Sequence, residues 1–238
     1  QQAGLTPENV DAERFGVLIS SGIGGLNTIE TEMRRGLEKG FDRVSPFFVP
    51  MNITNLAAGN VAIELGAKGM CSCVVTACAG GTNAIGDAFR QIRDGYLDVI
   101  AAGGTESSIT PLGVGGFTSM KALCTKEDPA RGSIPFDAER SGFVMGEGAG
   151  VLMLEEYEHA KARGAAILGE LVGYGATCDA YHITSPAPGG EGGARAMTMA
   201  MECAGIGPEQ IGYINAHGTS TPLNDKGETL AVKRAFGQ

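Results

Sequence analysis

Short, fully apolar runs alternate along this chain with longer segments whose apolar residues recur every three to four positions, the rhythm of strands and helices in a layered α/β protein. Residues 15–20 (FGVLIS) read as a buried strand that spills through the glycine turn SGIGG into a helix over about 26–39. Prolines interrupt residues 41–50 and predict a loop, and small and apolar residues over 54–68 predict a second helix stopped at Gly69. The β-branched run 71–76 predicts a buried strand, followed from Ala79 by a helix closing at Gly95. Ile85, Ala88, Phe89 and Ile92 form its apolar face and leave Arg90, Arg93 and Asp94 for water. Residues 98–104 predict the next strand, 112–131 a glycine-rich irregular stretch, 150–156 another strand and 157–163 a charged helix. Beyond it, strands are expected over 168–174 and 211–216, with helices over about 193–204 and 224–234. The segments IGYINAHGTST and FGVLISSGIGG share one rhythm, strand into small-residue turn into helix, which points to an internal duplication whose second copy stops early.

Composition narrows the function. At 238 residues and 43% hydrophobic content there is material for a substantial core. A net charge of -9 argues against nucleic acid as a general partner. No apolar run is long enough to cross a bilayer and no leader pattern opens the chain, so no membrane partner is expected and the protein reads as cytoplasmic. Six cysteines without a CxxC pair fit reduced thiols, and no metal site is expected. Gly22, Gly24 and Gly25 supply only half of a dinucleotide fingerprint, with Asn27 at the third glycine position; a plain turn suffices. No GxxxxGK[ST] sequence is present.

Cys78 falls where the predicted strand meets the predicted helix. A thiol there feels the positive end of the helix dipole and unpaired backbone N–H groups, both of which favour thiolate. A small buried cysteine that merely packs fits the same position. His217 closes the predicted strand 211–216 and precedes Gly218, Thr219, Ser220 and Thr221. Alone it reads as structural, and paired with a preorganised cysteine it becomes a candidate base or hydrogen-bond donor. A thiol protease would also use such a pair, but no protease signature surrounds Cys78.

Three ordered segments, VTACAGGTNAIG, PFDAERSGFVMGEGAG and NAHGTSTPLNDKGE, resemble the beta-ketoacyl-acyl-carrier-protein synthases, most closely those of the synthase II type. The resemblance covers essentially the whole chain. It implies an α/β thiolase-like fold of duplicated βαβαβαββ halves with the second half incomplete: residues 1–165 as the nucleophile-bearing half, its first strand and helix missing, and 166–238 as the start of the other. It further implies a homodimer, acyl carrier protein as partner, and no cofactor besides the carrier's phosphopantetheine. By position, Cys78 matches the acyl-accepting nucleophile and His217 the first catalytic histidine. Asp225 and Glu228 match acidic residues supporting the catalytic lysine region, and Thr219 and Thr221 match contacts to the pantetheine arm. The loop 179–184, ending at Thr184, matches one that moves as the acyl chain enters.

Departures from the family pattern count as well. The lysine and second histidine of the family lie beyond its HGTST segment, and the chain ends at Gln238 before any such motif, as expected of a fragment. Ser141 stands where the family usually has aspartate. A non-condensing chain-length factor would replace the nucleophile, a modular polyketide condensing domain would read more like DTACSS, and a thiolase would lack the HGTST context. Arg34, Arg35, Lys39 and Arg43 form a basic cluster, either a solvated helix face or a docking surface for an acidic carrier protein.

Overall fold

The computed structural model describes residues 2–237. In chain order its regular elements are β1 (Phe15–Ser20), α1 (Leu26–Lys39), α2 (Phe48–Asn52), α3 (Leu56–Leu65), β2 (Cys71–Ser72) and α4 (Gly80–Arg93). Next come β3 (Val99–Glu106), α5 (Pro111–Ser119), β4 (Gly148–Glu155), α6 (Tyr157–Ala162), α7 (Glu191–Ala204) and α8 (Pro222–Phe236). By their contacts the described residues fall into two compact units, one of 2–113 with 146–171 and one of 114–145 with 172–237.

The first unit is built on a four-stranded sheet in the order β2-β1-β3-β4. β1 pairs in parallel with β2 and with β3, running from Phe15 opposite Val99 to Ser20 opposite Gly104, and β4 closes the sheet antiparallel to β3. All six β1 residues are buried because a helix covers each face of the sheet. Phe15, Val17, Ile19, Val99 and Ala101 pack with Ala58 and Ala62 of α3. The alternate residues Leu18, Ile100 and Ala102 pack with Ala84 and Ala88 of α4. Val17, Val99 and Ile100 are fully enclosed, and burial of each such side chain contributes about 1.5–3 kcal/mol. The sheet's outward end is held by Arg14, whose guanidinium grips Asp98 with two bonds of 2.6 Å.

Several expected elements take another form. The strand expected over 71–76 is a ladder of two residues, after which the chain leaves the sheet. Residues 41–50 contain a 3-10 turn and the first residues of α2, which accommodates Pro50 because an N–H in a helix's first turn has no intrahelical partner. The glycine-rich 112–131 stretch contains most of α5, which sequence propensity did not suggest. The strands expected over 168–174 and 211–216 do not form: neither segment is in a ladder among the described residues. A strand exists only through a neighbour that takes its N–H and C=O groups, and no such neighbour is present for either segment among the described residues. Their apolar side chains stay exposed in consequence, Leu168 at 89% and Tyr213 at 80%.

In the second unit α7 packs against α8. Segment 172–175 lies along α7 closely enough that a Cβ on Gly173 or Gly175 would fall on the carbonyl oxygens of Ala200 or Ala196. Among the described residues no helix is long and apolar enough to cross a membrane.

Candidate active site

Cys78 is exposed and sits in a single 3-10 turn, Ala77–Ala79, between β2 and α4. The turn is tight: the Ala79 N–H donates to Thr76 O at 3.1 Å, and the Gly80 N–H donates to Ala77 O. Ala77, directly before the cysteine, has φ +49°, a left-handed conformation that costs a non-glycine residue about 1–2 kcal/mol. The turn is held by the glycines behind it. A Cβ on Gly80 would fall on Ser20 Oγ at the end of β1, and one on Gly104 would lie 3.3 Å from Gly81 Cα. Helix and sheet therefore meet backbone to backbone at this end, and the thiol is presented from the start of a fourteen-residue helix whose dipole favours negative charge there. Burial pushes the Cys71 thiol up from its ordinary value.

The neighbouring SGIGG turn holds a carboxylate. Glu106 Oε2 accepts the N–H groups of Gly22 (2.7 Å) and Ile23 (3.2 Å), while its Oε1 accepts Ser21 Oγ at 3.3 Å. Donors of the kind that would meet a phosphate in a dinucleotide site are thus occupied by a side chain of β3.

The second unit collects five of the expected residues at the start of α8. Glu228 reaches back from the helix, and its two oxygens accept the backbone N–H groups of His217 (2.6 Å) and Gly218 (2.9 Å). Gly218 (φ +52°) and Ser220 (φ +66°) are left-handed, which folds HGTST into a compact loop, and His217 is exposed on it. Thr221 is the N-cap of α8: its Oγ1 accepts the Asn224 N–H at 3.3 Å and lies 2.8 Å from Thr219 Oγ1. Asp225, only 1% exposed, accepts the Phe136 N–H at 2.7 Å and pairs with Arg140 at 3.4 Å. Asn224 Nδ2 bonds its other oxygen at 3.1 Å.

The two acidic residues thus have different tasks. Glu228 fixes the backbone under His217, whereas Asp225 ties α8 to the PFDAERSGF segment. Thr184 lies apart from this group in the exposed loop 179–187, where its N–H and that of Ser185 donate to His182 Nδ1 at 3.2 and 3.1 Å. Reading the sequence for local motifs assigned no task to Arg140, Phe136 or Ser220, each of which has a partner more than eighty residues away in the chain. Ser141, at the position of the family aspartate, meets Cys124 Sγ at 3.3 Å, and this bond, with backbone donation and Lys126, lowers the Cys124 thiol.

The basic cluster of Arg34, Arg35, Lys39 and Arg43 lies on α1 and the turn after it. Arg35 pairs with the buried Glu32 at 3.3 Å and Arg43 with Asp42 at 3.4 Å, and all four cations of the cluster are exposed. Exposed Met33, Leu37 and Phe41 lie among them. Among the described residues no group of three or more His, Cys, Asp and Glu side chains could hold a metal ion.

Comparison with known proteins identifies the relatives of this chain. Residues 1–160 match the beta-ketoacyl synthase N-terminal domain and residues 168–238 the beta-ketoacyl synthase C-terminal domain. The chain is 55% identical over 236 residues, 99% of its length, to the 3-oxoacyl-[acyl-carrier-protein] synthase 2 of Synechocystis sp., of which it covers 57%. It is 54% identical over 227 residues, 95% of its length, to a Staphylococcus aureus protein of the same name, covering 56% of that protein. It therefore spans a little over half the length of these curated relatives. Among solved structures, a ketosynthase complex with a type II PKS acyl-carrier protein superposes with a TM-score of 0.95 at 38% identity, over 98% of this chain and 59% of that one. A beta-ketoacyl synthase from Burkholderia phymatum superposes at 0.89 with 39% identity, over 98% and 57%. With Cys78 on its helix-start turn, HGTST on its carboxylate and both domain matches in sequence order, the chain belongs to the beta-ketoacyl synthase family, with the α/β, thiolase-like fold of the ketosynthases.

Proposed function

We propose that the protein containing this chain is a beta-ketoacyl-acyl-carrier-protein synthase of fatty acid synthesis, a condensing acyltransferase that works through Cys78. The observation that carries the reading is the setting of Cys78: an exposed thiol on a turn behind a left-handed alanine, braced at the start of α4. In the first half-reaction the Cys78 thiolate attacks the carbonyl carbon of an acyl thioester. The tetrahedral intermediate collapses, the carrier's phosphopantetheine thiolate leaves, and the acyl group stays on Cys78. In the second, malonyl-acyl carrier protein loses CO2, and the electron pair of the broken C–C bond becomes an enolate. A neutral His217 imidazole donates a hydrogen bond to the thioester oxygen as that charge builds. The enolate carbon then attacks the acyl-Cys78 carbonyl, Cys78 leaves as thiolate, and a 3-oxoacyl-acyl carrier protein is released. Sulfur suits both roles because it is a good nucleophile and a good leaving group.

In this reading Thr219 and Thr221 contact the pantetheine arm, and the Thr184 loop yields as the acyl chain enters. Residues 1–165 and 166–238 are the nucleophile-bearing half and the start of the histidine-bearing half. The whole protein is a cytoplasmic homodimer that needs no metal and no cofactor beyond the carrier's phosphopantetheine. The acyl carrier protein is the partner for the basic face around Arg34, Arg35, Lys39 and Arg43. In one structural neighbour an acyl-carrier protein is in complex with its ketosynthase, which supports a carrier protein as partner. Identity of 54–55% to two proteins named 3-oxoacyl-[acyl-carrier-protein] synthase 2 favours fatty acid chain extension over a polyketide role.

The test is product formation by the full-length protein from an acyl donor and malonyl-acyl carrier protein. Cys78→Ala is expected to abolish 3-oxoacyl product, and His217→Ala to abolish it while Cys78 is still acylated. Undiminished product from Cys78→Ala would end the assignment.

A further inference from the structure

The PFDAERSGF segment makes a polar seam with the HGTST loop that the reaction as described does not use. Arg140 is its centre. Its Nε donates to the Thr221 carbonyl at 3.1 Å, its Nη2 to the Pro222 carbonyl at 3.0 Å and its Nη1 to the Asp137 carbonyl at 2.9 Å. The same Nε pairs with the buried Asp225 at 3.4 Å, and the Arg140 side chain is itself only 18% exposed. Around it, Ser220 Oγ accepts the Ile134 N–H at 3.1 Å, and the Ser220 carbonyl accepts the Gly142 N–H at 3.0 Å. Two non-glycine residues on this seam are left-handed, Phe136 at φ +65° and Ser220 at φ +66°. Such residues persist only where their surroundings hold them. Ser220 is completely buried, and Phe136 donates its N–H to Asp225.

We propose that Arg140 is a positioning residue for the His217 loop: by holding the Thr221 and Pro222 carbonyls and neutralising Asp225, it sets where Thr219, Thr221 and the His217 backbone stand. The proposal deepens the proposed function and rests on it for the reaction affected. Three of the four contacts are to separate carbonyl oxygens, each from a different nitrogen, a demand met by a planar guanidinium with five donors. A lysine reaches one or two of them as a point charge. Loss of the side chain leaves the buried Asp225 without its cation and removes the Arg140 bonds between the seam and the start of α8.

The test uses the full-length protein as wild type, Arg140→Ala and Arg140→Lys, with malonyl-acyl carrier protein as the probe and two readouts. Decarboxylation is expected to lose about tenfold or more in kcat in Arg140→Ala, with Arg140→Lys in between, because displacement of a catalytic group by about an ångström has effects of that size. Amide exchange of residues 134–142 and 217–221 is expected to quicken by about tenfold or more while that of α7 stays as in wild type. Decarboxylation within about twofold of wild type in both variants would overturn the proposal, as would exchange that quickens equally in α7, which marks a merely structural residue. A wild-type protein that releases no CO2 from malonyl-acyl carrier protein would overturn the proposed function itself, and the exchange arm would still decide whether Arg140 holds the loop.

Discussion

Gly80→Ala puts the geometry behind Cys78 to the test. Two effects of opposite sign compete. Alanine favours a helix over glycine by about 0.5–1 kcal/mol, so on propensity alone the change stabilises α4. Against this, the new Cβ falls on Ser20 Oγ and stands 2.9 Å from Ser20 Cβ, a separation that real Cβ atoms do not adopt. Rotation of the short Ser20 side chain removes only the first of these contacts. Forcing a methyl group into packed space of this kind costs about 1–3 kcal/mol, so the clash wins and a net loss of about 1–2 kcal/mol is expected. Urea unfolding measures it, and a double-mutant cycle assigns it. Ser20→Ala leaves the Cβ contact in place and rescues part of the loss, whereas Ser20→Gly removes both contacts and is expected to couple to Gly80→Ala by about 1 kcal/mol or more. The turn carrying Cys78 moves with the helix start, so the rate of Cys78 alkylation is expected to change in Gly80→Ala and to recover with Ser20→Gly. A Gly80→Ala chain as stable as wild type, with no coupling to Ser20, would refute the account of how this end of α4 is seated.

Further predictions concern the second unit, the sheet and the basic face. Glu228→Gln turns one of the two oxygens under His217 and Gly218 into a donor facing an N–H; loss of that bond costs about 1–3 kcal/mol locally, read as faster exchange of the two amides, and unchanged exchange would contradict the assigned role. The Asp98 carboxyl is held below its usual range, chiefly by the Arg14 hydrogen bonds. A carboxylate depressed on folding stabilises above its unfolded pKa of about 3.9, and that contribution vanishes as pH falls through the folded value. The stability gap between wild type and Asp98→Asn is therefore expected to shrink as pH falls from about 5 to below about 4; a gap unchanged at pH 3 would contradict it. Arg35→Glu with Arg43→Glu is expected to raise KM for carrier-bound substrates in the full-length protein and to leave kcat nearly unchanged, and an unaltered KM would remove the docking surface.

How much of this was legible in the chain depended on whether the signal was local. β1 and β3 stood out because both faces are covered, so Phe15–Ser20 reads as an unbroken apolar run. α1, α7 and α8 were placed within a few residues by their periodicity. α5 was missed because Pro111–Ser119 contains three glycines, and its helix is seated instead by the closeness of Gly113 to the Ser108 carbonyl and Leu26. The strand expected over 211–216 failed for the opposite reason: its residues favour a ladder, but a ladder requires a partner that the residues themselves do not specify.

The site divides in the same way. Cys78 at a helix start and Thr221 at a helix cap are local features and could be read directly. The placement of Glu228 under the His217 amides spans eleven residues and a turn, so its acidic character was visible but its target was not. Arg140 lies in a segment that carries the family resemblance, but its task was not visible, because what distinguishes it is the convergence of carbonyls from Asp137, Thr221 and Pro222.

The central claim is that Cys78 takes the acyl group, and intact-mass analysis tests it most directly. The chain and its Cys78→Ala variant are incubated with an acyl-acyl-carrier-protein thioester and weighed, with peptide mapping to place any adduct; the same is done with the full-length protein. The account predicts a gain of one acyl group on Cys78, absent from the variant. An adduct on any of the other five cysteines, or none on the full-length protein, would contradict it.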